Sequence, residues 1–137
     1  MLNQPIKKHY EQIPPDIERV GKIVLDAAYK VHTTLGPGLL ESVYEACLAY
    51  EIKQSGSLVE TQVAIPVVYE GVRVDAGLRL DILVEKCVIV EIKAIEKMTT
   101  LHEAQLLTYL KICGLRLGFL INFNVLHLKD GIKRMVC

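Results

Sequence analysis

The sequence lacks an excess of either charge: 16 Lys and Arg are matched by 16 Asp and Glu over 137 residues. That balance excludes the long-range positive field with which a basic protein gathers nucleic acid. Any polyanion has to be held by a local patch or through a metal ion. The four cysteines, Cys47, Cys87, Cys113 and Cys137, form no CxxC pair and have no histidine at zinc-ligand spacing, which excludes the common zinc modules. No secretory n-region, h-region or cleavage site is present, so free, mostly buried thiols in a reducing cytoplasm are expected. Apolar runs are broken by charge well short of the roughly 20 residues a membrane helix needs. The chain shows no internal repeat and no low-complexity tract. It also lacks G-x-S-x-G, a Walker phosphate loop and H-E-x-x-H, and His9, His32 and His127 stand alone, as surface or core residues rather than ligands.

What is present is apolar. Hydrophobic residues make up 51% of the chain, enough for one compact domain whose elements are buried on one or both sides. An apolar face covered by a second copy, a homodimer in the simplest case, fits the same composition. Residues 1 to about 15 are polar, with Pro5, Pro14 and Pro15, and read as a loose arm; residues 16–137 read as the domain. From Asp16 the positions Ile17, Val20, Ile23, Val24, Ala27, Ala28 and Val31 recur at helical spacing and predict a helix to about Leu35. Gly36-Pro37-Gly38 stops it, and a second helix is expected from about Leu39 to Gln54, ending near Gly56. VETQVAIPVVYEGVRV reads as strand, with a bulge at Pro66 and a turn at Glu70-Gly71. LDILVEKCVIVEIK reads as a second strand pair. Thr99 or Thr100 caps a third helix through about Cys113, LRLGFLINFNVLHL is strand again, and Asp130-Gly131 is expected to make a hairpin turn into IKRMV. This order predicts an α/β or α+β fold with helices packed on a mixed sheet.

The strand pair carries three charges, Asp81, Glu91 and Lys93, where apolar residues would be expected. Alternation puts Glu91 and Lys93 on one side of their strand. A two-residue loop at Glu85-Lys86 would turn Asp81 away from them. A three-residue loop pairs position 84 with 88, places Asp81 opposite Glu91, and gathers Ile82, Val84, Val88 and Val90 on one apolar face; this is the register we expect. Two carboxylates about 4 Å apart repel by roughly 4 kcal/mol at an effective dielectric of 20, so both stay ionised only beside positive charge. Lys93 supplies part of it. A hard divalent cation, Mg²⁺ or Mn²⁺, would supply more, since the donors are oxygens. A lysine beside such a site can hold or deprotonate a water, as phosphodiester hydrolysis requires. A plain ion pair between Glu91 and Lys93, with Asp81 solvated, explains the same spacing equally well.

Asp81 followed by Glu91-Ile92-Lys93 resembles the core of the PD-(D/E)XK nuclease superfamily, and Gly38-Leu-Leu-Glu41-Ser-Val-Tyr44 resembles the motif of its GxxExxY family. The similarity extends from about Val20 to the C-terminus. It implies a restriction-endonuclease-like core and a metal-dependent nuclease acting on nucleic acid, DNA favoured over RNA. It further implies that Asp81 and Glu91, with the Ile92 carbonyl, bind Mg²⁺ or Mn²⁺, that Glu41 reaches the metal directly or through water, and that Lys93 assists the attacking water. Gln105-x-x-x-Tyr109 resembles the Q-x-x-x-Y motif of RecB-type members, which lies beside the catalytic centre; His102 falls on the same polar stripe, at i, i+3 and i+7. Gly38, Tyr44 and His102 are the supporting residues of this reading. Leu80 stands where the superfamily's proline would be. Arg73, Arg79, Lys97, Lys111 and Arg116 are scattered candidates for phosphate contacts, which implies weak or structure-selective binding. The other reading is a non-catalytic nucleic-acid-binding or protein-interaction module that keeps the fold.

Overall fold

The computed structural model describes residues 12–137; the expected arm over residues 1–15 falls mostly outside them. Pro15 occupies the first turn of α1 (Pro15–Leu35), where its missing N–H costs no hydrogen bond, and Asp16 and Glu18 face the positive end of the helix dipole. Its stripe Val24, Ala27, Ala28 and Val31 is buried. A Cβ at Gly21 would lie 3.0 Å from Leu117 and 3.3 Å from Phe119, so glycine sets how closely α1 approaches the sheet. Gly36, at φ 70°, ends the helix. α2 (Glu41–Gln54) begins two residues later than the spacing suggested and buries Tyr44, Leu48 and Ile52, one per turn.

Among the described residues the sheet has five strands in the order β1-β2-β3-β4-β5: β1 (Val59–Tyr69), β2 (Val72–Val84), β3 (Val88–Lys93), β4 (Leu117–Asn122) and β5 (Ile132–Val136). Only β3 and β4 are parallel, joined by α3 (Thr100–Cys113). Both are buried throughout or nearly so, as central strands covered on two sides should be. α1 and α2 cover the face carrying Ile82, Val84, Val88, Val90 and Ile92. α3 covers the face carrying Leu80, Leu83, Ile89 and Leu120 with Leu106 and Leu110. Among the described residues, no helix is long and apolar enough to cross a membrane.

Two expectations are corrected. β4 stops at Asn122 rather than running on through Leu128, because Asn122 turns its buried side chain to Ile95, accepting from its N–H at 3.1 Å and donating to its carbonyl at 2.9 Å. Asp130-Gly131 is therefore no two-residue hairpin; it closes a 3₁₀ turn, Leu128–Gly131, at the end of a longer connection to β5.

The β1–β2 hairpin is much longer than the sheet needs. β3 pairs with β2 only from Ile82 to Val84, so the hairpin beyond Leu80 is a two-stranded ribbon. Its register shifts between Ile65 and Val67, at Pro66. The facing Gly77 has no room for a side chain, since a Cβ there would lie 2.3 Å from the Ile65 carbonyl oxygen and 2.8 Å from the Val67 nitrogen. Gly77→Ala is expected to force the ribbon apart and cost about 1–3 kcal/mol, the range of overpacking, read as a lowered Tm. An unchanged Tm would mean that the ribbon yields freely at this point.

Candidate functional site

The turn between β2 and β3 decides the site. Glu85 and Lys86 adopt left-handed backbones at φ 49° and 53°, and Cys87 N–H donates to the Val84 carbonyl at 3.0 Å. The pairs Val84↔Val88, Leu83↔Ile89 and Ile82↔Val90 follow, which is the three-residue-loop register. One step further, side chains replace the backbone ladder. Asp81 N–H donates to Glu91 Oε1 at 3.3 Å, and Ile92 N–H donates to Asp81 Oδ2 at 2.9 Å. The two carboxyl groups are thus gathered at the point where β2 and β3 part.

The sheet's faces exchange at Asp81. Leu80 belongs to the α3 face and Ile82 to the α1/α2 face, so the alternation slips by one residue between them. Asp81 is consequently edge-on rather than squarely on one face beside Glu91 and Lys93. It lines a cleft of about 390 Å³ with Glu41, Glu45, Gln62 and Ile92 on the α2 side, while its charge also reaches Tyr109 on α3. Glu91 is buried. Burial first, then the Asp81 charge and a hydrogen bond shared with that carboxyl, pushes Glu91 up to about 9. The Lys93 charge and the Asp81 N–H offset only part of this. Lys93 is half-buried at the end of β3, and none of the ion pairs among the described residues includes it.

These donors fit a hard divalent cation. Asp81 and Glu91 offer carboxylate oxygens with no competing nitrogen or sulfur donor, and a buried carboxyl pushed well above the usual carboxylate range is a group whose charge lacks compensation. The fit is incomplete without movement: among the described residues, no three His, Cys, Asp or Glu side chains converge as a ready-made metal site.

Glu41, exposed at the first position of α2, borders the same cleft. Tyr44 does not. It is fully buried and stacks on Phe123 at 4.6 Å and 8°. Its hydroxyl accepts from Leu39 N–H at 3.1 Å and donates to the Gly36 carbonyl at 2.6 Å. It is a staple across the turn containing Gly38, which sits at φ 99°, and it fixes where Glu41 starts its helix. Tyr44→Phe keeps the stacking and removes both bonds. The expected cost is about 1–2 kcal/mol in a chemical melt; no change would show that the turn holds itself.

On α3, Tyr109 is raised by burial and by the Glu91 and Asp81 charges, and a side-chain bond to Gln105 lowers it in part. Tyr109 is thus within charge range of the carboxyl pair, and Gln105, exposed, is tied to it through Tyr109. His102 is drawn elsewhere: its Nδ1 accepts from Thr99 N–H at 3.0 Å, closing a capping box. Of the candidate phosphate contacts, Arg73 pairs with Asp75, Arg79 donates to the Gln62 carbonyl, and Arg116 donates to the carbonyls of Cys137 and Gln12.

Three residues absent from the sequence reading belong to this region. Glu45, one helical turn beyond Glu41, is raised by burial, and Gln62 Nε2 donates to it at 2.5 Å. Gln62 reaches it from a left-handed backbone, φ 52°. Asn122 braces the Ile95 backbone just after Lys93, while Phe123 N–H bonds the Lys93 carbonyl at 2.9 Å. The i, i+4 spacing of Glu41 and Glu45 was a usable signal; the other two depend on tertiary contacts.

A family model of the PD-(D/E)XK nuclease superfamily matches residues 18–135. The chain belongs to that superfamily. No curated protein and no solved structure matches it. Membership points to nuclease-type chemistry.

Proposed function

We propose that residues 16–137 form one PD-(D/E)XK domain that hydrolyses phosphodiester bonds of nucleic acid with Mg²⁺ or Mn²⁺, DNA being favoured over RNA. The observation that carries this reading is the pairing of Asp81 with Glu91 at the parting of β2 and β3, beside Lys93, which enters no ion pair among the described residues. Asp81, Glu91 and the Ile92 carbonyl would hold the cation, with Glu41 across the cleft as a further oxygen donor. When bound, the cation supplies charge neutralisation at the phosphoryl oxygens and at the leaving oxygen. Lys93 holds the attacking water and the phosphoryl group in line and takes part in moving the water's proton. Water oxygen bonds to phosphorus, one P–O ester bond breaks, and the leaving oxygen takes up a proton. Tyr109, with Gln105 bonded to it, would orient the substrate's sugar-phosphate from the α3 side. The turn stapled by Tyr44 suits the GxxExxY reading of Gly38, Glu41 and Tyr44.

A Mn²⁺-supported cleavage assay over single-stranded, duplex and branched DNA and RNA tests the proposal. Wild type should cut at least one of these, EDTA should stop it, and Asp81→Asn should be inactive. Equal activity in Asp81→Asn would reject it. No cleavage of any substrate would favour the non-catalytic binding module.

A further inference from the structure

The ribbon is the largest feature that this chemistry leaves unexplained. Its α3-side face is a continuous apolar strip. At the base, Leu80 and Leu83 are buried under α3; next, Val63, Ile65 and Leu78 are half-buried against the same cluster. The β1 backbone turns left-handed at Gln62, where the faces exchange, and at no residue from Val63 to Tyr69, so Ile65, Val67 and Tyr69 alternate onto one face, with Val74 and Val72 paired to the last two. The strip therefore continues through Val67, Val74, Tyr69 and Val72. Here its cover ends: Val74 is 41%, Val72 62% and Tyr69 67% exposed. α3, with 14 residues, is about 21 Å long and reaches only the base. A two-stranded ribbon is marginal in water by itself, so an exposed apolar face along it gains from being covered.

Position and charge together indicate what covers it. The strip lies on the sheet face to which Glu91 and Lys93 project, and it leads away from them at up to about 3.3 Å per residue from Asp81 to Val72, enough for several nucleotides. The cleft wall on the α2 side carries Glu41, Glu45 and Asp81 and no Lys or Arg, so beyond the proposed cation it offers a phosphate backbone no positive partner. The chain has no net positive charge with which to grip a duplex by its two backbones. Unpaired bases have π-faces that stack on an aromatic ring or lie on an apolar strip, with their phosphates left toward water.

Building on the nuclease reading, we propose that the face formed by Val67, Tyr69, Val72 and Val74 is a platform for the unpaired bases of a single strand entering the Asp81, Glu91 and Lys93 site. The substrate is then single-stranded nucleic acid or the frayed end of a duplex. Tyr69 stacks a base, and the valines exclude water from its neighbours. Val68 and Arg73 belong to the opposite face and take no part.

Binding without turnover separates this from the catalytic claim. In EDTA, fluorescein-labelled oligothymidylate is titrated with the full-length chain, and a blunt duplex bearing the same label is titrated in parallel. Wild type should bind the single strand more tightly. Tyr69→Ala should raise its Kd at least about 5-fold, Tyr69→Phe should restore it, and Val68→Ser should leave it near wild type. Equal binding by Tyr69→Ala and wild type would overturn the platform, as would equal loss in Val68→Ser. So would a change from dimer to monomer in Tyr69→Ala with Kd unaltered, since the strip would then be covered by a second copy. Failure of the cleavage assay would leave all these outcomes readable.

Discussion

Lys93→Ala is expected to lower single-turnover cleavage by about 10²–10⁴-fold, the range for a positioned proton-transfer group, while Tm stays within about 1 °C. The separation of the two effects follows from the structure. Lys93 enters no ion pair among the described residues, and its backbone is held independently by Phe123 N–H and by the Asn122 brace on Ile95. Its ammonium is thus available for chemistry and contributes little to folding. A Tm loss parallel to the activity loss would instead make Lys93 the structural partner of Glu91. Retained activity would assign the cleavage to a contaminant.

Glu91→Gln is expected to stabilise the protein when divalent cations are removed. In the unfolded chain this carboxyl ionises near its usual 4.5; in the folded chain burial, followed by the Asp81 charge, moves it to about 9. Between those values the folded state binds more protons, so stability present below pH 4.5 is lost as the pH rises toward 9. The proton belongs to the Asp81–Glu91 pair as a unit. Melts in EDTA should therefore show the wild-type Tm falling from pH 5 to 9. Glu91→Gln, which keeps an acceptor for the Asp81 N–H and a donor toward the Asp81 carboxyl, should give a flatter profile. It should lie above wild type by several degrees at pH 8, at about 3–5 °C per kcal/mol for a chain of this size. Parallel profiles would mean that Glu91 is ionised and paired in the folded state.

Much of this arrangement was legible in the residues. Ile82, Val84, Val88 and Val90 share a face only in the three-residue-loop register, so the apolar pattern alone selects the turn that brings Asp81 to Glu91. Helix ends followed from Pro15, Gly36 and Thr99, whose backbone roles are local. The site's finer geometry was hidden because its causes are long-range. Asp81 is edge-on because the strand's faces exchange there, and this reflects β2 leaving β3 rather than anything at position 81. Gln62 meets Glu45 across 17 positions of sequence, from a backbone conformation that glutamine seldom adopts. Asn122 ends β4 through a contact 27 positions away, so a run of apolar residues that reads as one long strand is cut short. The ribbon could have been suspected from the mismatch between the 13 residues of β2 and the 6 of β3, but the cover of its base depended on where α3 lies.

The most direct test of the metal site is calorimetric titration of the full chain with Mn²⁺ at pH 7, wild type against Asp81→Asn. We predict one saturable site in wild type, with binding accompanied by release of the proton shared by the Asp81–Glu91 pair, and an isotherm in Asp81→Asn at least about 10-fold weaker. Indistinguishable isotherms in the two proteins, or no binding by wild type, would contradict the account.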